Sequence, residues 1–429
     1  MSTSESPVVS IASTSPQDWK YISEGAANIV FSYNGDPHRD PYFNGKVLRL
    51  RKSASTVSPE IQGFPPIDRL DDCDEPDDPI IEFQHKIIQR LIPSEYLPRL
   101  ASIRVEASWL QDLAKLCDSD RPSHRRQKDG IDSTRTKAVL ATDLVGGDAL
   151  AVEIKPKWAF LPSPTHLSTS TFPIKTKTCR FCMHTHYRSQ NDHSIPICYC
   201  PLDLFSGDES RIDKALRDLW AGWIDSNGTM NNIRIFAHGK MLKPTEPSID
   251  LRALCDVLIP TVRSLLVHTP VLRTLAILQR SLDVLDIEGL SNLWALSHIQ
   301  SPSESPAACV PPIGSTSTDP TISEWTNFID TYLSSHNTLD HAHPETSNLR
   351  YYLLAYLLSA TFKDCSIMLR INPSNSKASS DQETNSVTLI DLDPKSIDRL
   401  TRWEKLDREI VESYIGTEAK HCVDWKDNT

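Results

Sequence analysis

The run Glu153-Ile154-Lys155-Pro156-Lys157-Trp158, continuing as Ala159-Phe160-Leu161-Pro162, spaces one acid and two lysines at every second position. Just upstream, the apolar stretches Lys137–Leu144 and Ala149–Val152 flank Val145-Gly146-Gly147-Asp148, a hairpin signal. The second stretch runs on into Glu153. In an extended chain alternate side chains share a face, so Glu153, Lys155 and Lys157 project together and Ile154 points the other way. Pro156 lacks a ladder donor and Pro162 stops the run, which predicts an edge strand or one leaving its sheet here. Charged edges also simply discourage aggregation, so E-x-K-x-K alone does not make a site.

The chain has 429 residues, more than one core usually supports, so two lobes are expected. A net charge of −11 argues against broad nucleic-acid binding through phosphate neutralisation, so any anion site must be local. Ten cysteines without a leader-like start do not resemble a secreted disulfide framework. The most apolar stretch, Tyr351–Phe362, is too short to cross a bilayer, and no lipidation motif stands at either end. A soluble intracellular protein is expected, in nucleus or cytoplasm or both, without membrane association and as a monomer.

Residues 1–16 are rich in Ser, Thr and Pro and read as disordered. Glu24-Gly25-Ala26-Ala27-Asn28 is a small-residue turn feeding the β-rich Ile29–Tyr33, and Lys46–Arg51 follows as a second strand. A turn of small residues lets backbone N–H groups approach phosphates, and Arg49 could reach the same anion; an ordinary hairpin has the same pattern. No G-x-x-x-x-G-K-[ST] occurs, which argues against a P-loop enzyme. Residues 53–79 form an acidic, proline-rich insert, and Arg121, Arg125, Arg126 and Lys128 form a basic loop. Helical apolar spacing marks Leu251–His268, Val271–Leu285, Gly289–Ile299, Ile322–Leu333 and Asn348–Phe362, with a Ser/Pro-rich linker at 301–320.

Cys179-Arg180-Phe181-Cys182-Met183-His184-Thr185-His186-Tyr187-Arg188 admits two readings. With the later Cys198-Tyr199-Cys200, C-x-x-C-x-H-x-H offers soft ligands for zinc. Alternatively Arg180, His184 and Arg188 recur every four residues and form one cationic stripe on a helix. Near the end, Asp364 precedes the apolar strand Ser366–Ile371, and Val387–Ile390 returns into Asp391. An antiparallel pairing brings both acids to one end.

Glu-Ile-Lys-Pro-Lys-Trp ending in Phe-Leu-Pro, with Cys-Arg-Phe-Cys-Met-His some twenty residues on, resembles the inositol-pentakisphosphate 2-kinase family. Glu24-Gly25-Ala26-Ala27-Asn28-Ile29-Val30 resembles that family's E-G-x-A-N-x-V signature. Asn231-Asn232-Ile233-Arg234, Leu285-Asp286-Ile287-Glu288-Gly289-Leu290, Lys363–Met368 and Ile390–Lys395 follow in family order. The resemblance implies an α+β, two-lobed inositol-polyphosphate-kinase-like fold. A smaller β-rich N-lobe (17–178) would face a larger, mixed, helix-rich C-lobe (179–429), with the ATP cleft between them.

It also implies roles. Asp364 would act as base and Lys155 would meet the ATP phosphates with Arg49 and the Gly25, Ala26, Ala27, Asn28 turn. Glu153 would lie near the ribose, Asp143 and Leu144 near the adenine, and Met368 beneath it. Asp391, with Asp393 as a further candidate, would hold Mg²⁺. Lys157, Arg180, His184, Arg188, Asn232, Arg234, Lys395 and Arg399 would bind inositol pentakisphosphate, Lys395 and Arg399 sharing one face of a helix start. Arg126 aligns with the family's arginine before the hinge, with Arg121 and Arg125 as competitors. Ala26 stands where the family has a second glycine, and Ala54 where it has a further arginine, for which Lys52 or Arg51 could substitute. Plant members carry a structural zinc in the second lobe; Cys309, His336, His341 and His343 lack comparable spacing, so zinc is left open. The reading from another class is a non-catalytic zinc- or inositol-phosphate-binding module built on Cys179–Cys200.

Overall fold

The computed structural model describes residues 10–25, 27–54, 75–191, 198–299, 310–372, 385–418 and 420–425. The chain forms two compact units. The first comprises residues up to Glu82, Pro98–Ala149 and Phe236–Met241; the second comprises Phe83–Leu97, Leu150–Ile235 and Leu242 onward.

In the first unit, strands β1 (Trp19–Glu24), β2 (Asn28–Tyr33), β3 (Lys46–Ala54), β4 (Leu100–Arg104), β5 (Asp129–Ile131) and β6 (Lys137–Thr142) form one antiparallel sheet. Its order is β1-β2-β3-β6-β4, with β5 pairing the end of β3. Ile29, Phe31, Leu48, Leu50, Ile103 and Leu140 are buried from these strands, and the Ala107–Cys117 helix adds Trp109, Leu110 and Leu113. Trp19 stands edge-on to Tyr33, Phe43 and Trp109.

The expected disorder of 1–16 does not extend to its last residues. Ile11 is fully buried and Trp19 Nε1 donates to Thr14 Oγ1 at 3.0 Å. Trp109 Nε1 donates to the Thr14 carbonyl at 3.0 Å, so residues 10–16 are tied into the unit. Residues 1–9 lie outside the described residues.

The second sheet contains β7 (Leu150–Ile154), β8 (Ile233–Ala237), β10 (Ser366–Ile371) and β11 (Ser386–Ile390), in the order β11-β10-β7-β8, and all but the last two residues of β8 belong to the second unit. The chain continues from β8 through a turn into the two-residue β9 (Lys240–Met241). Two expectations are corrected here. Val145–Asp148 does not close a hairpin: β6 pairs β3 and β4, whereas β7 pairs β10. Asp143 takes over the turn, its Oδ1 accepting the Val145 and Gly146 N–H groups at 2.9 and 2.8 Å. Nor is β7 an edge strand, because it lies between β10 and β8, although the chain does leave the sheet after Ile154, the other course the prolines allow. Pro156 costs no ladder bond because it lies past the strand's end. The second unit resumes at Leu150, the start of β7.

Helices Leu251–His268, Val271–Leu282, Asp286–Ile299, Ile322–Ser335 and Leu349–Asp364 match the expected apolar spacing closely. Leu275, Leu278, Leu282 and Leu285 belong to the core, as their stripe suggests. Thr321 and Glu324 form a reciprocal capping box that starts one helix. Gly289 is required by packing: a Cβ there would meet His166 Cβ at 2.6 Å. Among the described residues no single helix is long and apolar enough to cross a membrane.

Candidate active site

In the second unit β10 pairs antiparallel with both β7 and β11, setting Glu153 opposite Met368 and Ser366 opposite Ile390. Asp364 enters β10 and Asp391 leaves β11, so both acids stand at one end of the ladder, as the strand pattern predicts. Lys155 Nζ lies 3.1 Å from Asp391 Oδ2 and 3.9 Å from Glu153 Oε1. Lys157 Nζ lies 3.3 Å from Asp364 Oδ1, and Lys395 Nζ lies 2.9 Å from its Oδ2. Three lysines thus hold two carboxylates.

The alternation inferred from sequence ends before Lys157, whose φ of 67° turns the backbone; Asp391 has φ of 61°. Positive φ at non-glycine residues is costly and persists where neighbouring contacts enforce it. Those contacts are visible. Buried Gln279 donates to the Lys157 and Phe362 carbonyls at 3.0 and 3.1 Å and accepts from the Ala159 N–H at 2.9 Å. Tyr199 Oη donates to the Pro156 carbonyl at 2.9 Å. Ser366 Oγ lies 2.8 Å from Glu153 Oε1 and 3.2 Å from Asp391 Oδ2.

Sequence reasoning gave no role to Gln279 or Ser366. A glutamine inside an apolar helical stripe and a serine between Asp364 and an apolar strand were the available signals.

Burial would raise the Asp364 carboxyl, but Lys395 and Lys157 outweigh it and hold it below the usual carboxylate range. Burial would lower the Lys155 ammonium, but Asp391 and Glu153 raise it, so it stays charged. Lys157 is pushed down by burial despite Asp364. Met368 is buried on β10. The Asp393 carbonyl accepts from Thr361 Oγ1 at 3.1 Å.

The expected acceptor residues divide. Arg180 begins the Arg180–Asn191 helix, and His184 and Arg188 follow on its face, which places the cationic stripe on a real helix. Arg180 pairs with Asp407 and lies 5.3 Å from the Trp158 ring. Asp407 also takes buried Lys175, which pairs in turn with Asp286. Burial raises the Asp286 carboxyl to about 6, against the pull of Lys175. Arg234 lies 3.2 Å from Glu153 Oε2. Asn232 is buried and its amide donates to the Lys155 carbonyl at 3.4 Å, so that donor is used within the fold. Lys395 and Arg399 do not share a helical face, because the helix spans Arg399–Tyr414 and Lys395 lies in the preceding loop.

In the first unit the Gly25 N–H donates to the Asn28 carbonyl at 2.9 Å, closing the β1–β2 turn. Ala26 lies outside the described residues. The Asn28 amide, with its oxygen toward Arg49, accepts from Arg49 Nη2 at 3.3 Å. Arg125 Nη1 donates to the Gly25 carbonyl at 3.2 Å, whereas Arg126 pairs with Asp118. Of the competing arginines, Arg125 reaches the Gly25 carbonyl and Arg121 the Glu24 carboxylate. Arg121 and Lys52 are buried against Glu24 and Asp129, and Arg51 forks onto Asp78. Asp143 is spent on its own turn and on Ser32, with Leu144 half-buried beside it.

The zinc reading is partly redrawn. Cys179, Cys182 and Cys200 converge as its spacing predicts, but their fourth neighbour is Cys422, while Cys198 is exposed and outside the group. His184 stacks on Tyr187 instead. His336 and His341 bond Tyr351 and Tyr352, and Cys309 lies outside the described residues.

Solvent-facing carboxylates held by lysines at one end of an antiparallel ladder are the equipment of a phosphotransferase, whose work is positioning and charge neutralisation. The pattern of one such family matches residues 21–409. The chain belongs to the inositol-pentakisphosphate 2-kinase family. It is 33% identical to an inositol-pentakisphosphate 2-kinase of Cryptococcus neoformans over 95% of this chain and 96% of that one. It is 28% identical to the rice protein of that name over 93% of each chain, and 28% identical to the Arabidopsis thaliana protein over 92% and 93%. Nothing in these matches supports the non-catalytic module.

Proposed function

We propose that this protein transfers the γ-phosphoryl group of ATP to the 2-hydroxyl of inositol 1,3,4,5,6-pentakisphosphate, giving inositol hexakisphosphate and ADP. The observation that carries this reading is the meeting of Asp364, Asp391, Lys155, Lys157 and Lys395 at one ladder end in a chain matched to the family from 21 to 409.

Asp364, kept ionised by Lys395 and Lys157, accepts the hydroxyl proton as the oxygen attacks the γ-phosphorus and the bond to the ADP oxygen breaks. Lys155 neutralises the phosphates. Asp391 and Asp393 offer hard carboxylate oxygens, a donor set that fits Mg²⁺, and the ion supplies charge neutralisation to the bound phosphates. Arg180, His184, Arg188, Arg234, Lys395 and Arg399 supply the cations that five acceptor phosphates demand. The turn at Gly25 to Asn28 and Arg49 belong to ATP. An intracellular monomer, in nucleus or cytoplasm, is part of the proposal and accords with free thiols at the eight described cysteines.

The test is turnover by purified protein with Mg-ATP and inositol 1,3,4,5,6-pentakisphosphate, read by phosphorus NMR. Product phosphorylated at the 2-hydroxyl is expected; folded protein that leaves the acceptor unchanged would overturn the reading.

A further inference from the structure

Gln279 is a polar side chain in an apolar stripe. It sits on the Val271–Leu282 helix among Leu275, Leu278 and Leu282, and it is fully buried. An amide taken out of water costs free energy unless its donors and acceptor all find partners. Here each does. Oε1 accepts the Ala159 N–H at 2.9 Å, and Nε2 gives its two protons to the Lys157 and Phe362 carbonyls at 3.0 and 3.1 Å. A backbone N–H only donates and a carbonyl only accepts, so these partners fix the orientation of the amide. Side chains of similar size do not meet all three. A carboxylate donates nothing, a protonated carboxyl donates once, and methionine donates not at all.

The place of these partners gives the amide its importance. Lys157 and Ala159 lie on the stretch that leaves β7, and Phe362 stands two residues before Asp364. The amide therefore ties together the two segments whose side chains meet in the Lys157–Asp364 ion pair at 3.3 Å. Lys157 has φ of 67°, which a non-glycine residue keeps only where its surroundings enforce it. The bond from Gln279 to the Lys157 carbonyl is one such constraint, and the bond from Tyr199 Oη to the preceding carbonyl, that of Pro156, is another at 2.9 Å. The same helix end also grips the approach to Asp364. Ser359 Oγ donates to the Gln279 carbonyl at 2.8 Å, and Asp283 at the helix C-cap pairs with buried Lys363, the neighbour of Asp364.

We infer that Gln279 is a positioning residue for phosphoryl transfer: its amide sets the turn at Lys157 and the approach of Lys157 to Asp364, and thereby the rate of the chemical step. The part concerning rate rests on the kinase reading above; the part concerning the turn rests on geometry alone. Gln279 acts through Lys157 and the segment ahead of Asp364, and it meets backbone groups only. Lys155 is held independently. Its N–H donates to the Asn232 carbonyl at 2.9 Å and its ammonium to Asp391 at 3.1 Å. Loss of the amide should therefore displace the Lys157–Asp364 pair and leave the lysine assigned to ATP in place.

The test uses the full-length protein and Gln279→Met, which keeps the volume and removes all three bonds. Its kcat should fall about 10- to 100-fold, the scale expected when reacting groups are misplaced by about 1 Å. The acceptor KM should rise, because Lys157 is among the cations expected to face the acceptor, while the ATP KM stays within about 2-fold. Gln279→Glu, which burial keeps protonated, retains the Ala159 bond and one donor and should recover part of the lost kcat. A glutamine that serves stability alone would lower the melting temperature and leave kcat and the acceptor KM of folded protein unchanged, and that result would overturn the proposal. A crystal structure of Gln279→Met supplies a readout apart from turnover. Lys157 should leave its positive φ and part from Asp364; an intact turn and ion pair would overturn the proposal even if the unaltered protein proved inactive, so the two readings can fail separately. Should Gln279→Met not fold, Gln279→Glu carries the same readouts, and unaltered kcat with an unaltered Lys157 turn in that variant would overturn the proposal as well.

Discussion

In the first unit Lys52 and Arg121 share Glu24 and Asp129, and the four side chains are 3, 5, 2 and 10% exposed. In the second, Lys157 and Lys395 share Asp364 and Lys155 takes Asp391, yet the acids remain 53 and 46% exposed. Both sets pair cations with carboxylates at ion-pair distance. What differs is where the carboxylates look. A buried quartet is closed on itself, and removing one member strands a charge where water cannot reach it. Carboxylates facing solvent add little to stability, because water screens them, but they stay open to a substrate while the lysines hold their position and ionisation. Close ion pairing alone therefore does not distinguish scaffold from site; exposure of the acid does.

The largest effect expected from this contrast is on Asp364. Asp364→Asn should lower kcat by about 10³-fold, within the range for loss of a general base, with acceptor binding and melting temperature almost unchanged. Near-normal kcat would remove Asp364 from the base role and break the contrast on its functional side. Lys52→Met should do the reverse. Leaving Glu24 and Asp129 short of a cation should cost about 3–5 kcal/mol in chemical denaturation, while the folded fraction keeps most of its kcat. A Lys52→Met protein of unaltered stability would show that the buried quartet is not structural.

Smaller effects sharpen the picture. Arg188→Ala should raise the acceptor KM about 5–10-fold, roughly 1 kcal/mol, with the ATP KM unchanged. Arg180→Ala should add a stability loss, because Asp407 then keeps only Lys175. An unchanged acceptor KM in both would reduce the stripe to a solvated helix face.

The last prediction concerns pH. Burial would raise Glu24, but Arg121 and Lys52 outweigh it, so its folded pKa lies below the unfolded value of about 4.3. Its contribution to stability is therefore present above about pH 4.3 and is lost as pH falls through the folded value. The stability gap between the unaltered protein and Glu24→Gln should narrow as pH is taken from 7 toward 3. Asp364 is depressed in the same direction but should appear in rate rather than stability, with no loss of kcat above about pH 4 from this group. A kcat falling with an apparent pKa near 6 would point to another base.

Much of the second unit's site was legible because its motifs are local. Asp364 and Asp391 flank two strands whose apolar pattern alone predicts an antiparallel pair, and Lys155 and Lys157 follow a third. The helices were legible too, since apolar residues at helical spacing must face a core. The hairpin at Val145–Asp148 was misread because turn residues report a bend and not the partners of the strands on either side. The shared helical face of Lys395 and Arg399 was misread because Pro394, Ser396 and Asp398 each offer a helix start, and the helix takes the last of them.

The sequence by itself determined which residues could do chemistry and which stretches would be strand or helix, because spacing and composition act over a few residues. Tertiary structure alone decided that Gln279 holds the backbone of Lys157 and Phe362, that Lys52 and Arg121 are closed off by Glu24 and Asp129, and that Cys422 joins Cys179 across more than half the chain. These depend on burial and on contacts between distant segments, and a charge or a thiol carries no mark in sequence of whether water or a partner will surround it.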